Sequence, residues 1–108
     1  MTITTATSKV TIYERMRHAD GEQVLLLAMY HGGKRTGYRV GVFSDDMESL
    51  ITWEKGNGEC HVVTADHRGR VQGCTCPDKK FSRRVWECCK HMSASQALIR
   101  AGKIEVGG

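Results

Sequence analysis

Four cysteines and one histidine fall within eighteen residues of this chain. The run reads Cys74-Thr-Cys76-Pro-Asp, then twelve residues from Pro77 to Cys88, then Cys89-Lys-His91-Met. Thiolate sulfur and imidazole nitrogen are the donors that structural zinc prefers, four of them in a tetrahedron, and three Cys with one His is a common set. In an extended backbone Cys74 and Cys76 project to the same side, so one strand end supplies two donors. The other half of the set comes from Cys88-Cys89 and His91, with two registers open, Cys88-x-x-His91 and Cys89-x-His91. Other chemistry fits these residues less well. A Cys89–His91 nucleophile pair would need thiol and imidazole aligned from positions two apart at a helix start, and catalytic paired carboxylates are absent. Taken singly, each cysteine reads as a small buried residue, Cys88-Cys89 as an oxidation-prone pair, and His91 as an ordinary histidine at a helix start.

The elements that must position these groups are legible from the pattern. Gln23 to Tyr30 is a short apolar run, His31-Gly32-Gly33-Lys34 is a turn, and Tyr38, Val40 and Val42 alternate as a half-buried strand. Lys9 to Arg17 reads as a strand from its β-branched content. Asp45 to Glu54 is ambiguous between a short helix capped by Asp45 and Glu48 and a strand turning at Gly56-Asn57-Gly58. Glu59 to Ala65 is a strand, Asp66-His67-Arg68-Gly69 a turn, and Arg70 to Cys74 the return. Met92 to Ala101 is a helix, with Ala94, Ala97, Leu98 and Ala101 on one face and Gly102 as its stop. Two of the donors thus come from a hairpin end and two from a helix entrance, and a metal would tie them together. Lying mid-strand, Cys60 and His61 face opposite ways and read as a core thiol and a surface imidazole. His18, His31 and His67 sit in or beside turns.

Length and charge set the frame. The 108 residues fit one domain with a small core, because only seven aromatic residues are present. Thr-rich residues 1–8 read as a disordered N-terminus, and residues 9–106 as a single domain. Five cysteines, an odd number without a secretory leader, argue for a reducing, cytoplasmic setting rather than a disulfide framework. The longest apolar run, Val24 to Tyr30, is too short to cross a bilayer, so no membrane partner is expected. Residues 1–76 balance nine Lys/Arg against nine Asp/Glu, whereas residues 77–108 hold seven against three. The whole net charge of +4 therefore lies over the cysteine cluster, with Lys79, Lys80, Arg83, Arg84 and Lys90 between or beside the donor pairs. Such a cluster can meet phosphates, can stay an ordinary solvated face, or can offset the net negative charge of a zinc held by three thiolates. Phe81 and Trp86 interrupt it and read as either base-stacking groups or a small core beside the metal.

The C-x-C-x(n)-C-x-H pattern, with Pro77 after the second cysteine and the Cys89-Lys90-His91 triplet, resembles the SWIM zinc finger. The likeness covers roughly residues 59–104, and residues 1–58 resemble no family. It implies a ββα-like unit with one Zn2+ per chain, and it selects the C-x-H register: Cys74, Cys76, Cys89 and His91 as ligands. It also implies binding to DNA or to proteins. The resulting expectation is an α+β fold, an antiparallel β-meander followed by a ββα-like zinc finger with a C-terminal helix. The expected function is non-enzymatic: a zinc module binding nucleic acid, DNA favoured, through the basic loop. A protein–protein adaptor with a structural zinc is the alternative.

Overall fold

The computed structural model describes residues 2–4, 8–17, 22–44, 48–74 and 90–105. Seven strands follow one another: β1 (Thr2–Thr4), β2 (Ser8–Arg17), β3 (Gln23–His31), β4 (Lys34–Ser44), β5 (Glu48–Lys55), β6 (Cys60–Asp66) and β7 (Val71–Cys74). One helix, α1 (Lys90–Arg100), comes after them. Each strand pairs antiparallel with the next, so the sheet order is the chain order.

This architecture corrects the expected fold class. Strand makes up 66% of the described chain, the seven strands curl into one half-barrel, and there is one short helix instead of a ββα zinc finger. The physical reason lies in β6. It pairs with β5 from Glu48↔Asp66 to Glu54↔Cys60, so its backbone bonds on that side continue the meander. A sheet this size curls under its own twist, and β6–β7 becomes its last hairpin rather than a separate unit. The N-terminus also departs from expectation. Thr2–Thr4, read as part of a disordered stretch, pairs with β2 through Thr2↔Thr11 and Thr4↔Lys9.

Turn chemistry explains the short connections. Gly32 and Gly33 form the two-residue β3–β4 loop with φ of 60° and 78°, the pair of positive values that a type I′ hairpin turn demands. The β6–β7 turn is held by Asp66, whose carboxylate accepts the backbone N–H groups of Arg68 and Arg70, both at 2.9 Å. The stretch left ambiguous by sequence is strand from Glu48 onward, and Gly41 lets Thr52 of that strand close in. A Cβ at Gly41 would stand 2.9 Å from Thr52 Oγ1. That hydroxyl instead bonds the Gly41 backbone N–H at 3.2 Å.

Alternation sends Val10, Leu25, Leu27, Met29, Tyr38, Val40, Val42, Ile51, Trp53, Val63 and Ala65 to the concave side. The helix fills that side with Met92, Ala94 and Leu98, and Ile104 follows it in. It touches β6 and β7 at one end of the sheet and β1 and β2 at the other, so it closes the half-barrel. Its end is a Schellman motif: Lys103 N–H to Leu98 C=O at 2.9 Å and Gly102 N–H to Ile99 C=O at 3.1 Å, with Gly102 at φ 72°. Two polar contacts lock it down. The Trp53 indole N–H donates to Ser95 Oγ at 2.8 Å, with both residues fully buried. Gln96 grips the β6–β7 hairpin, accepting from Val71 N–H at 3.1 Å and donating to Gly69 C=O at 3.0 Å.

Candidate metal centre

His91 is the second residue of α1, and 2% of it is exposed. Three strands build its surroundings. Val40 pairs with Trp53 and Trp53 with His61, so those side chains share the concave face, and Tyr38 joins them two residues before Val40. The His91 ring stacks on His61 at 4.9 Å between centroids with 30° between planes. It meets Tyr38 edge-on at 5.5 Å and 87°, and Trp53 at 5.7 Å and 52°. Tyr38 and Trp53 also meet edge to face at 5.2 Å, an arrangement favoured by the ring quadrupoles.

The two nitrogens of His91 differ in what they meet. Nε2 lies 3.1 Å from the Tyr38 hydroxyl. Nδ1 is buried and has no hydrogen-bond partner among the described residues. Burial first, then the positive charges that His61, Lys90 and Lys55 can carry nearby, pushes the His91 pKa down from 6.5 to about 3. The imidazole is therefore neutral at physiological pH, with one nitrogen protonated and the other presenting a lone pair. Leaving a buried polar atom unpaired costs roughly 1–3 kcal/mol, so an orphan of this kind calls for a ligand.

Cys74 ends β7 opposite Val63, and directly paired residues share a face. It is half-buried and packs against the concave core, on the side where Val63 and His61 also project. The two expected ligands that fall among the described residues thus lie on one side of the sheet. Cys76 and Cys89 lie outside the described residues, as do Cys88, Lys79, Lys80, Arg83, Arg84, Phe81 and Trp86. Among the described residues there is no group of three or more His, Cys, Asp or Glu side chains placed to hold a metal. The donor types suit zinc: a neutral imidazole with an unused buried nitrogen, and a thiol on the same side. Lys90, the expected phosphate contact that is described, opens the helix half-buried beside His91.

The sequence reading missed the aromatic frame and inverted one pair. Cys60 is exposed, while His61 is the half-buried member and stacks on His91. The phase signal was available: Val63 and Ala65 are both core, and His61 shares their parity. The Tyr38–His91 contact spans 53 positions and leaves no local trace.

No family model, no curated protein and no solved structure matches the chain. The likeness to SWIM fingers accordingly rests on the spacing of the four ligand-type residues. No helix among the described residues is long and apolar enough to cross a membrane.

Proposed function

We propose that the chain is a small zinc-binding module that uses the cations carried between its ligand pairs to bind nucleic acid. The observation that carries the zinc half is the buried, unpartnered Nδ1 of a neutral His91. Cys74 and His91 would be two of the ligands, and Cys76 with Cys89 would complete the set. When bound, zinc supplies a cross-link between the end of β7 and the start of α1. The protein's own part is to keep His91 neutral, to fix its ring between Tyr38, Trp53 and His61, and to keep water off it.

The nucleic-acid half is supported by charge. The entire net positive charge lies in residues 77–108. A segment tied at both ends by a metal would lose less entropy on binding than an untethered one. If three or four of Lys79, Lys80, Arg83, Arg84 and Lys90 meet phosphates, log K falls with log salt with a slope of roughly −2 to −4. The test is a gel-shift series on single- and double-stranded DNA and RNA with the four-fold Lys79, Lys80, Arg83, Arg84 to Glu variant. That variant should lose binding with zinc content unchanged. A wild-type chain that ignores all four nucleic acids at low salt would leave the zinc module as a protein adaptor.

A further inference from the structure

The convex face of the sheet holds a second feature that the metal centre does not use. Tyr30 follows the core residue Met29 on β3 and so points away from the helix. Its cross-strand partners, Lys9 on β2 and Arg35 on β4, share that face. The next row is Thr11, Ala28 and Gly37. Between Ile12 and Glu14 the β2 register shifts, leaving Tyr13 as the bulged residue without a cross-strand partner. The bulge aims Tyr13 onto the convex side, where its hydroxyl accepts from the Arg35 guanidinium at 2.9 Å. The Arg35 guanidinium carbon is 5.6 Å from the Tyr13 ring centroid. Tyr13 is 59% exposed and Tyr30 40%, both high for aromatic residues on a sheet. Bulges that re-aim a side chain are enriched beside functional sites.

Gly37 gives this cluster its shape. A glycine inside a strand weakens it, and usually marks a bulge, a bend or the close approach of another group. Gly37 is paired regularly with Ala28, its φ is not positive, and a Cβ there would meet nothing within 4 Å. No fold requirement explains it, in contrast to Gly41, which Thr52 crowds. Gly37 therefore leaves a flat, exposed floor of backbone, about 7 Å along the strands from the Tyr30–Arg35 row, with Ala28 beside it fully buried. Beside the floor stand two exposed phenol rings and the cations Lys9 and Arg35. The described residues of these rows, with Ser8, His31 and Lys34 at the hairpin end, include no acid. The row beyond Gly37 turns acidic instead, running Glu14, Leu26, Arg39 and Glu54 across the four strands.

We propose that this floor and its two tyrosines form a binding face for single-stranded nucleic acid. Bases would lie against Gly37 and stack on Tyr13 and Tyr30, and Lys9 and Arg35 would meet the phosphates. The chemistry asks for flat, π-faced and anionic ligands in sequence, which an unpaired strand offers and a duplex hides. This face uses none of the cations at residues 77–90, although the partner is of the same class.

The test measures fluorescence anisotropy of the full chain with oligo(dT), oligo(U) and a blunt DNA duplex, each about 15 nucleotides long, a length that spans one such face. Both single strands, or the one whose sugar suits the face, should bind better than the duplex. Two phosphate contacts give a log K against log salt slope of roughly −1.4. Gly37→Val should melt at or above the wild-type temperature, since a β-branched residue suits an open strand position. It should nevertheless lose about tenfold or more in affinity, because the floor is filled. Tyr30→Ala and Tyr13→Ala, both on the surface, should each lose about fivefold or more. The Lys79, Lys80, Arg83, Arg84 to Glu variant separates the two readings. If it keeps single-strand binding while the face variants lose it, the convex face is the site. Should Gly37→Val and both tyrosine variants bind as wild type, the proposal falls, whether or not the segment variant fails. Absence of single-strand binding at low salt would overturn it as well.

Discussion

The Tyr38 hydroxyl lies 3.1 Å from Nε2 of His91, and the other ring nitrogen of that histidine is buried with no partner among the described residues. A neutral imidazole that donates from Nε2 to the tyrosine oxygen keeps its lone pair on Nδ1. Tyr38 would then act on a zinc ligand as an orienting partner, fixing both the tautomer and the ring. Losing such a partner typically costs 10–100-fold in metal affinity. Tyr38→Phe is expected to weaken zinc binding by that order in a chelator competition. Nitrogen-15 spectra of the wild-type zinc form should show His91 protonated at Nε2. A proton on Nδ1 instead would remove Tyr38 from this role.

Zinc itself is expected at one per chain, lost on acid denaturation and visible by native mass spectrometry. Finger-type zinc contributes roughly 10–16 kcal/mol to folding in isolated peptides, so a strong chelator should lower the melting temperature clearly. A metal-free chain whose melt ignores chelators ends the zinc reading.

The ligand register has its own outcome. Cys76→Ser or Cys89→Ser should release the metal, whereas Cys88→Ser and Cys60→Ser should retain it. Cys60 is exposed on β6. Zinc lost from Cys88→Ser and kept by Cys89→Ser would establish the Cys88-x-x-His91 register.

Ser95→Ala removes the acceptor of the Trp53 indole N–H, and both residues are fully buried. An orphaned buried donor costs roughly 1–3 kcal/mol, more than most surface changes. Urea unfolding should show a lower midpoint with an unchanged slope. A change under about 0.5 kcal/mol would mean that the helix does not depend on this bond.

Acid should loosen the β6–β7 hairpin in a defined direction. Backbone N–H bonds from Arg70 and Arg68 hold the Asp66 carboxyl below its ordinary value of 3.8. A lowered folded-state pKa gives stability that is fully present above the unfolded value and is lost as pH falls through the folded one. Asp66→Ala should thus speed amide exchange at Arg68 and Arg70 at neutral pH. The difference from wild type should shrink below about pH 4, where the unfolded-state carboxyl begins to protonate. A difference that stays constant down to pH 2 would remove the carboxylate from this role.

Local chemistry in the sequence determined the parts of this protein whose causes are local. Gly32-Gly33 demanded a tight hairpin, and Gly102 the end of α1, because only glycine takes positive φ without steric cost. Alternation in Tyr38, Val40 and Val42 marked the concave face of β4. The cysteine spacing and the charge excess over residues 77–108 were likewise visible in the sequence. Tertiary structure decided what depends on distant pairing. Whether β6 and β7 stand with α1 as their own unit or extend the meander turned on the bonds β6 makes to β5. Thr2–Thr4 became strand because β2 offered an open edge, which no property of three short polar-flanked residues foretells. The curl of the sheet then carried Tyr38, Trp53 and His61 around His91, and turned a histidine at a helix start into a buried, neutral one. Burial is a property of the surrounding chain, so neither its effect on the imidazole nor the idle Nδ1 could be read from His91 and its sequence neighbours.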